Sequence, residues 1–136
     1  MKFPKWLDRR IAAPGPYLVL CLSTDEVAAV AKRMKVTLDP RTCRGGRMTE
    51  LVSPQGNTTC VVEISGYNDA TPVEVAGLLI HEAVHVWQAY CRDIGETNPG
   101  DEQEAYAVQA IAQELLAEYA RRIETGTIPV AGTLPP

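Results

Sequence analysis

The spacing of hydrophobic positions predicts a strand followed by a helix near the start of the chain. Tyr17–Leu22 is a short apolar run, typical of a buried strand. A helix begins directly afterwards, because Ser23 can cap its N-terminus and Glu26 stands three residues later, as in a capping box. Apolar residues at the i, i+3, i+4 and i+7 positions predict its buried face: Val27, Val30, Ala31 and Met34.

The middle of the chain predicts a β-hairpin. Arg47–Ser53 and Thr58–Ser65 are rich in β-forming residues and flank a Pro-Gln-Gly-Asn turn. The preceding segment, Leu38–Gly46, contains a proline and two glycines and is typical of a loop. In the second strand, successive side chains point to opposite faces of the sheet, and we expect one face to be more buried than the other. The first face carries Cys60, Val62 and Ile64, and the second carries Val61, Glu63 and Ser65.

Two long helices are predicted in the second half. Thr71, Pro72 and Glu74 form a strong start signal, and Gly95 is a typical C-terminal glycine for a helix that ends at about Asp93. After Asn98-Pro99, a last helix covers about residues 101–124. Its apolar side is predicted from the positions of Ala105, Val108, Ala112, Leu115 and Tyr119.

The order of these elements is strand, helix, two strands and two helices, which predicts a small α+β fold. A length of 136 residues is that of one domain, so we assign residues 1–136 to a single domain. Residues 1–16 form an irregular N-terminal arm in this interpretation, and residues 125–136, rich in glycine and proline, form an irregular tail.

Charge and hydrophobicity exclude several classes of protein. Thirteen basic and 17 acidic residues give a net charge of −4, which offers no electrostatic reason to bind nucleic acid or an anionic membrane. The longest apolar runs, Leu18–Leu22 and Val75–Ile80, are far shorter than the ~20 residues that span a bilayer. The N-terminus also lacks the long apolar centre of a secretory signal. We therefore expect a cytoplasmic protein.

The four cysteines are too few and too irregularly spaced for a disulfide scaffold. Cys21, Cys43, Cys60 and Cys91 contain no C-x-x-C pair, so a cysteine-only zinc site has no support either. We expect free thiols in a reducing compartment, with Cys21 and Cys60 as small core residues on strands.

Both histidines of the chain lie in His81-Glu82-Ala83-Val84-His85, which has the form H-E-x-x-H. Four residues make just over one helical turn, so both imidazoles project from one face and can bind the same Zn²⁺. Glu82 lies beside them and can act as general base toward a zinc-bound water. A shuffled chain of this composition would contain the motif about once in a thousand.

The residues around the histidines favour a metal site over two structural histidines. Val84, Val86 and Trp87 indicate that this helix is largely buried. Buried imidazoles need hydrogen-bond partners or a metal to satisfy their ring nitrogens.

A catalytic zinc usually has three protein ligands and one open position. With no third histidine and no cysteine at a suitable spacing, the third ligand must be a carboxylate. The start of the last helix offers Glu102 and Glu104, although acidic residues also suit a helix N-terminus for reasons of dipole and capping. Helical periodicity alone places Glu104 slightly nearer the apolar face, so both remain candidates.

HEAVH followed by Glu102-Gln103-Glu104-Ala105-Tyr106 resembles the gluzincin type of zinc metallopeptidase. The second segment is similar to the E-x-E-A-D of membrane-associated CAAX-processing and heat-shock zinc proteases, and to the E-x-x-A-N of small repressor-cleaving phage and mobile-element peptidases. In those families the Glu three residues before the Ala ligates zinc, which implies Glu102 here, with Glu104 as the alternative. Tyr106 stands where they have Asp or Asn, and its phenol could replace that hydrogen bond.

A longer match, LLIHEAVHVWQ with EQEAYAVQAIAQ, resembles small, mostly uncharacterised proteins of tailed phages and prophages. It covers about residues 72–116. The resemblance implies a small zincin-like domain: a strand, a helix and a β-hairpin, followed by the H-E-x-x-H helix and a second long helix. It also implies that the strand before the active-site helix, Cys60–Tyr67, is the substrate-binding edge, to which an extended peptide adds as a further strand.

The leading hypothesis is that the protein is a zinc-dependent metallohydrolase, and a peptidase is the favoured kind. His81, His85 and Glu102 bind Zn²⁺, and Glu82 activates the water that attacks the peptide bond. The expected partner is a peptide or protein substrate, with neither nucleic acid nor membrane, in the cytoplasm of a bacterial host if the protein is phage-encoded. One alternative is a phage-type structural or assembly protein whose zinc only holds two helices together. Another is a hydrolase of a non-peptide amide, such as a cell-wall bond.

Overall fold

The computed structural model describes residues 3–7, 16–38, 45–66 and 69–124. These ranges contain four strands and three helices, which are, in chain order, β1 (Trp6–Leu7), β2 (Tyr17–Cys21), α1 (Thr24–Arg33), β3 (Gly45–Val52), β4 (Thr58–Ser65), α2 (Pro72–Ile94) and α3 (Asp101–Glu124). The predicted α+β class is confirmed, and the boundaries of the predicted strands and helices agree within two residues. The tail at 125–136, most of the predicted arm, Cys43 and Tyr67 lie outside the described residues.

All four strands belong to one mixed sheet in the order β1-β2-β4-β3. β2 and β4 run parallel, with Leu20 opposite Val62, whereas β1 pairs antiparallel with β2 and β3 pairs antiparallel with β4. A parallel pair needs a long crossover connection, which α1 and β3 supply between β2 and β4. The short strand β1 falls inside the segment for which the sequence predicted an irregular arm. Its two residues carry too little local pattern to predict a strand, and its pairing with β2 defines it.

This strand order corrects one expectation from the resemblance. Cys60–Tyr67 was expected to be the substrate-binding edge, but β4 is hydrogen-bonded to β2 on one side and to β3 on the other. The parallel crossover places β2 beside β4, which removes β4 from the edge. Among the strands that the structure describes, β3 is the outer strand on this side of the sheet.

Helices cover both faces of the sheet, so the molecule has three layers. Cys60, Val62 and Ile64 of β4 pack into the core shared with α2 and α3. On the other face, Val61 packs against the apolar side of α1. Both faces of β4 are therefore buried, Glu63 included, whereas the alternation in the sequence predicted one face to be more buried. None of the helices in the described ranges is long and apolar enough to cross a membrane.

The helix ends follow from local sequence signals, with one difference. Thr71 and Glu74 form the predicted capping box of α2, and Gly95 ends that helix in the left-handed conformation with φ 74°. Ser23 caps α1 as predicted by accepting a hydrogen bond from the Glu26 backbone N–H. The Glu26 carboxylate, however, accepts from the Leu22 backbone N–H and from Arg122, because a tertiary ion pair competes for it.

The structure contains no disulfide among the cysteines it describes: Cys21, Cys60 and Cys91 are free thiols. Cys21 and Cys60 are fully buried on β2 and β4, as the sequence predicted. Burial is the main cause that raises the pKa of the Cys60 thiol to about 12, with further contributions from the Glu50 and Asp93 carboxylates. Burial likewise raises the pKa of Cys21.

These thiols should make the protein less stable in alkali. A raised folded pKa means that the native state holds the proton more tightly than the unfolded chain does. The stabilisation is complete below the ordinary thiol pKa of 9.0 and is lost as the pH rises toward about 12. We expect the free energy of unfolding to fall by about 1 kcal/mol per buried thiol between pH 9 and 10, measured by urea denaturation. Cys60→Ala should reduce this dependence, and an identical pH slope in wild type and variant would contradict the assignment.

Candidate metal centre

One turn of α2 brings the two histidines of the chain together. His81 and His85 lie four residues apart on this helix, and their Nε2 atoms are 3.2 Å apart. The ring centroids are 5.0 Å apart, with the ring planes at 69° to each other. Both imidazoles therefore direct the same nitrogen toward one point outside the helix.

The environment of these rings differs from the one that the neighbouring residues predicted. Val86 and Trp87 are buried, but Val84 is 38% exposed, and both histidines are exposed. The helix buries only the side that faces the sheet and α3. The prediction that both imidazoles are buried is therefore wrong, and only the geometry of the ring nitrogens supports a metal.

A residue that sequence reasoning missed orients His85. Its Nδ1 lies 3.0 Å from Oε1 of Gln88. Because an amide oxygen can only accept a hydrogen bond, Nδ1 is the donor in this contact, which leaves Nε2 as the nitrogen directed at His81. The available signal was a glutamine three residues after the second histidine, on the same face of the helix. Gln88 thus orients the His85 ring, as hydrogen-bond partners of histidine ligands do in metal sites.

The distance between the two Nε2 atoms fits a shared zinc ion. Two imidazole nitrogens bound to one tetrahedral Zn²⁺ at about 2.0–2.1 Å lie about 3.3 Å apart. The observed distance of 3.2 Å also fits a hydrogen bond in which His81 donates from Nε2 to Nε2 of His85. The distance between the two Nε2 atoms is therefore that of a shared metal ion and equally that of a direct hydrogen bond.

Glu82 lies between this pair and the sheet. Its side chain is 3% exposed and packs against β3, where a Cβ added to Gly46 would lie 3.1 Å from Glu82 Oε1 and 3.2 Å from Ile64 Cδ1. Glycine at this position therefore leaves the space that the carboxylate occupies. Burial raises the pKa of the Glu82 carboxyl, while His81 and His85 act in the opposite direction. A buried carboxylate of raised pKa is a stronger proton acceptor than an exposed one.

The structure does not bring the two candidate third ligands to the histidines. Oε2 of Glu104 accepts a hydrogen bond of 3.0 Å from Nε1 of Trp87. Trp87 is two residues after His85, about 200° around the helix, so α3 contacts the side of α2 opposite His85. Glu102 lies in the first turn of α3 and is exposed. Within the described ranges, no group of three His, Cys, Asp or Glu side chains could hold a metal ion.

The histidine side of α2 lies instead along β3. Arg92 is seven residues, two helical turns, after His85 and pairs with Glu50 of β3. Glu82 contacts the other end of the same strand at Gly46. The two contacts place the histidines beside the outer strand of the sheet, which the sequence had assigned only to the hairpin.

A scan against protein-family models found no match to this chain, and searches of curated proteins and of solved structures found none either.

Proposed function

We propose that the protein is a zinc-dependent hydrolase that cleaves peptide bonds. The observation that carries the proposal is the pair of Nε2 atoms at 3.2 Å, with a buried glutamate on the same helical turn. His81 and His85 would hold the metal, and Gln88 would keep the His85 ring oriented through its Nδ1. Zn²⁺ bound there supplies a Lewis acid and lowers the pKa of a water molecule toward ~7.

Glu82 performs the proton transfers in this mechanism. Its carboxylate takes a proton from the attacking water and later delivers it to the leaving amine, so the glutamate returns to its starting state. Burial against Gly46 and Ile64 supports this role in two ways. It raises the proton affinity of the carboxylate and restricts the side chain to one position.

The outer edge of β3 supports a peptide as the substrate. Antiparallel pairing with β4 uses one edge of β3, and within the described part of the chain no strand covers the other edge. An extended peptide can add to an outer strand of this kind as a further strand of the sheet. Because Glu82 contacts β3 at Gly46, a peptide added to this edge would pass beside the histidines.

A carboxylate remains the proposed third ligand. The resemblance implies Glu102, with Glu104 as the alternative. In this structure Glu104 bonds to Trp87 on the side of α2 opposite His85, and neither glutamate forms a group of three ligands with the histidines among the described residues. Either could reach the histidines only if the first turn of α3 moved around α2. Glu104 would also have to leave Trp87, so Glu102 is the one that needs to break no hydrogen bond with that ring.

The exposure of both histidines favours one alternative, a structural zinc shared with a partner chain in an assembly protein. Structural zinc sites are closed by four protein ligands, but here two exposed histidines have no third ligand among the described residues. A partner chain would then have to complete the site. A structural zinc would give the buried Glu82 no role in proton transfer, so the hydrolase is the leading proposal.

Zinc binding tests the premise that both functions share. We expect the wild-type protein to bind one Zn²⁺ and His81→Ala to bind it at least about 100-fold more weakly, because one of its two imidazole ligands is lost. Isothermal titration calorimetry with ZnCl₂ would measure this. Gln113→Ala, on the exposed surface of α3, is the matched control and should bind zinc as the wild type does.

The same titration distinguishes the third ligands. Glu102→Gln should weaken zinc binding if this residue completes the site, and Glu104→Gln should do so if the alternative is correct. Wild-type zinc affinity in His81→Ala would overturn the metal centre.

A further inference from the structure

A second candidate site lies at the opposite end of the sheet from Glu82. A cavity of about 340 Å³ is lined by residues from the starts of β2 and β4, from the C-terminal end of α1 and from the β3–β4 turn. Thr59 of β4 lines it, whereas Ile64 of the same strand pairs with Gly46, the residue that Glu82 packs against. Five residues of strand separate these two positions by about 17 Å, so the cavity is distinct from the histidine centre.

Aromatic rings form one wall of this cavity. The ring centroids of Phe3 and Trp6 are 5.8 Å apart, and those of Trp6 and Tyr17 are 6.1 Å apart. Trp6 and Tyr17 both line the cavity and are more than a third exposed. The ring contacts, with interplanar angles of 69° and 46°, hold these side chains in place before a ligand arrives, so the wall offers aromatic surface at little cost in side-chain entropy.

The same cavity is positively charged. Arg33 and Lys35 line it, and none of the described residues that line it is acidic, although the whole chain carries a net charge of −4. The Arg33 guanidinium lies 4.5 Å from the centroid of the Phe3 ring, a cation–π contact that holds it beside the aromatic wall. The side chains of Gln55 and Asn57 add neutral hydrogen-bonding groups.

Lys35 occupies its place at a conformational cost. Its φ of 58° is in the left-handed region, and it is the one described residue other than glycine with a positive φ. The Val36 N–H bonds to the Ala31 C=O at 2.9 Å, and the Lys35 N–H bonds to the Lys32 C=O at 3.1 Å, a helix ending in which glycine is the usual residue. A non-glycine residue held in this conformation points to a functional use of its side chain.

We propose that this cavity binds a nucleoside monophosphate. The planar base stacks on the Trp6 ring with the inclined Tyr17 ring at its edge, and the phosphate pairs with the cations of Arg33 and Lys35. A volume of 340 Å³ lies at the lower end of the range for ligand pockets, about 300–1,000 Å³, which suits one nucleotide. The net negative charge of the chain disfavours a longer nucleic acid.

Calorimetric titration of the full chain with AMP tests the proposal, with adenosine and inorganic phosphate as separate probes. We expect AMP to bind, and each fragment to bind at least about tenfold more weakly, because each uses only one half of the site. Lys35→Gly should weaken AMP binding by about tenfold or more. Its melting temperature should stay the same or rise, because glycine adopts a positive φ without strain.

The controls separate this site from the proposed metal centre. Lys32→Gln changes an exposed lysine of α1 outside the cavity, and His81→Ala changes the histidine pair, so both should bind AMP as the wild type does. Absence of AMP binding at about 1 mM would overturn the proposal. Equal affinity for AMP and phosphate, equal affinity for AMP and adenosine, or unchanged AMP affinity in Lys35→Gly would overturn it as well.

Discussion

Glu82→Gln should abolish peptide cleavage and leave zinc binding intact. Glutamine has the same size and shape as glutamate, so it fills the same space against Gly46 and Ile64. It cannot accept a proton at neutral pH, and the loss of a general base lowers the rate by about 10²–10⁴-fold. The zinc-loaded protein would be incubated with a broad peptide library, and new N-termini would be measured by mass spectrometry. The rate constants kcat/KM of wild type and variant would then be compared on any peptide that is cleaved.

Asp93→Asn is the matched control for this experiment. Asp93 is an exposed carboxylate on the same helix, and its loss should leave cleavage at the wild-type rate. Cleavage by Glu82→Gln at the wild-type rate would show that another group moves the proton. If the wild type binds zinc and cleaves no peptide in the library, the structural-zinc alternative replaces the peptidase.

Arg122→Met should destabilise the protein by about 3–5 kcal/mol, because it leaves the buried carboxylate of Glu26 without its counterion. Nη1 and Nη2 of Arg122 donate to the two oxygens of Glu26 at 2.6 and 2.8 Å. The two side chains are only 11% and 8% exposed. This ion pair connects the first turn of α1 to the last turn of α3, which pack on opposite faces of the sheet. Urea denaturation at neutral pH would measure the loss.

Two further variants test whether burial of the Glu26–Arg122 ion pair causes this loss of stability. Arg92→Met removes the ion pair with Glu50, in which the arginine side chain is 62% exposed, and should cost less than about 1 kcal/mol. Combining Arg122→Met with Glu26→Gln should recover part of the lost stability, because no buried charge is then left unpaired. Similar losses in Arg122→Met and Arg92→Met would contradict a special role for the buried pair.

Secondary structure could be predicted wherever the signal lies within a few residues. α2 begins at a Thr-Pro-x-Glu sequence and ends before a glycine in the left-handed conformation, so both ends follow from local chemistry. β1 could not be predicted, since its two residues become a strand only by pairing with Leu18 and Val19. The ion pair of Glu26 could not be predicted either, because its partner Arg122 is 96 positions away in the chain.

In the candidate site, too, some features follow from local sequence and others depend on long-range packing. His81, Glu82 and His85 lie on one turn of one helix, so their spacing determines that the imidazoles meet and that the glutamate lies beside them. The place of Glu102 and Glu104 depends on which side of α2 contacts α3, and that in turn depends on how Trp87 packs. No local pattern contains this information.

The sequence by itself therefore determined the helices, the hairpin and the paired histidines, because each depends on helical or strand periodicity over a short distance. Only the tertiary structure decided that β3 is the outer strand, that Glu82 is buried against Gly46, and that α3 lies on the far side of α2 from the histidines. These features arise from packing between elements far apart in the chain, where burial of the whole core selects one arrangement.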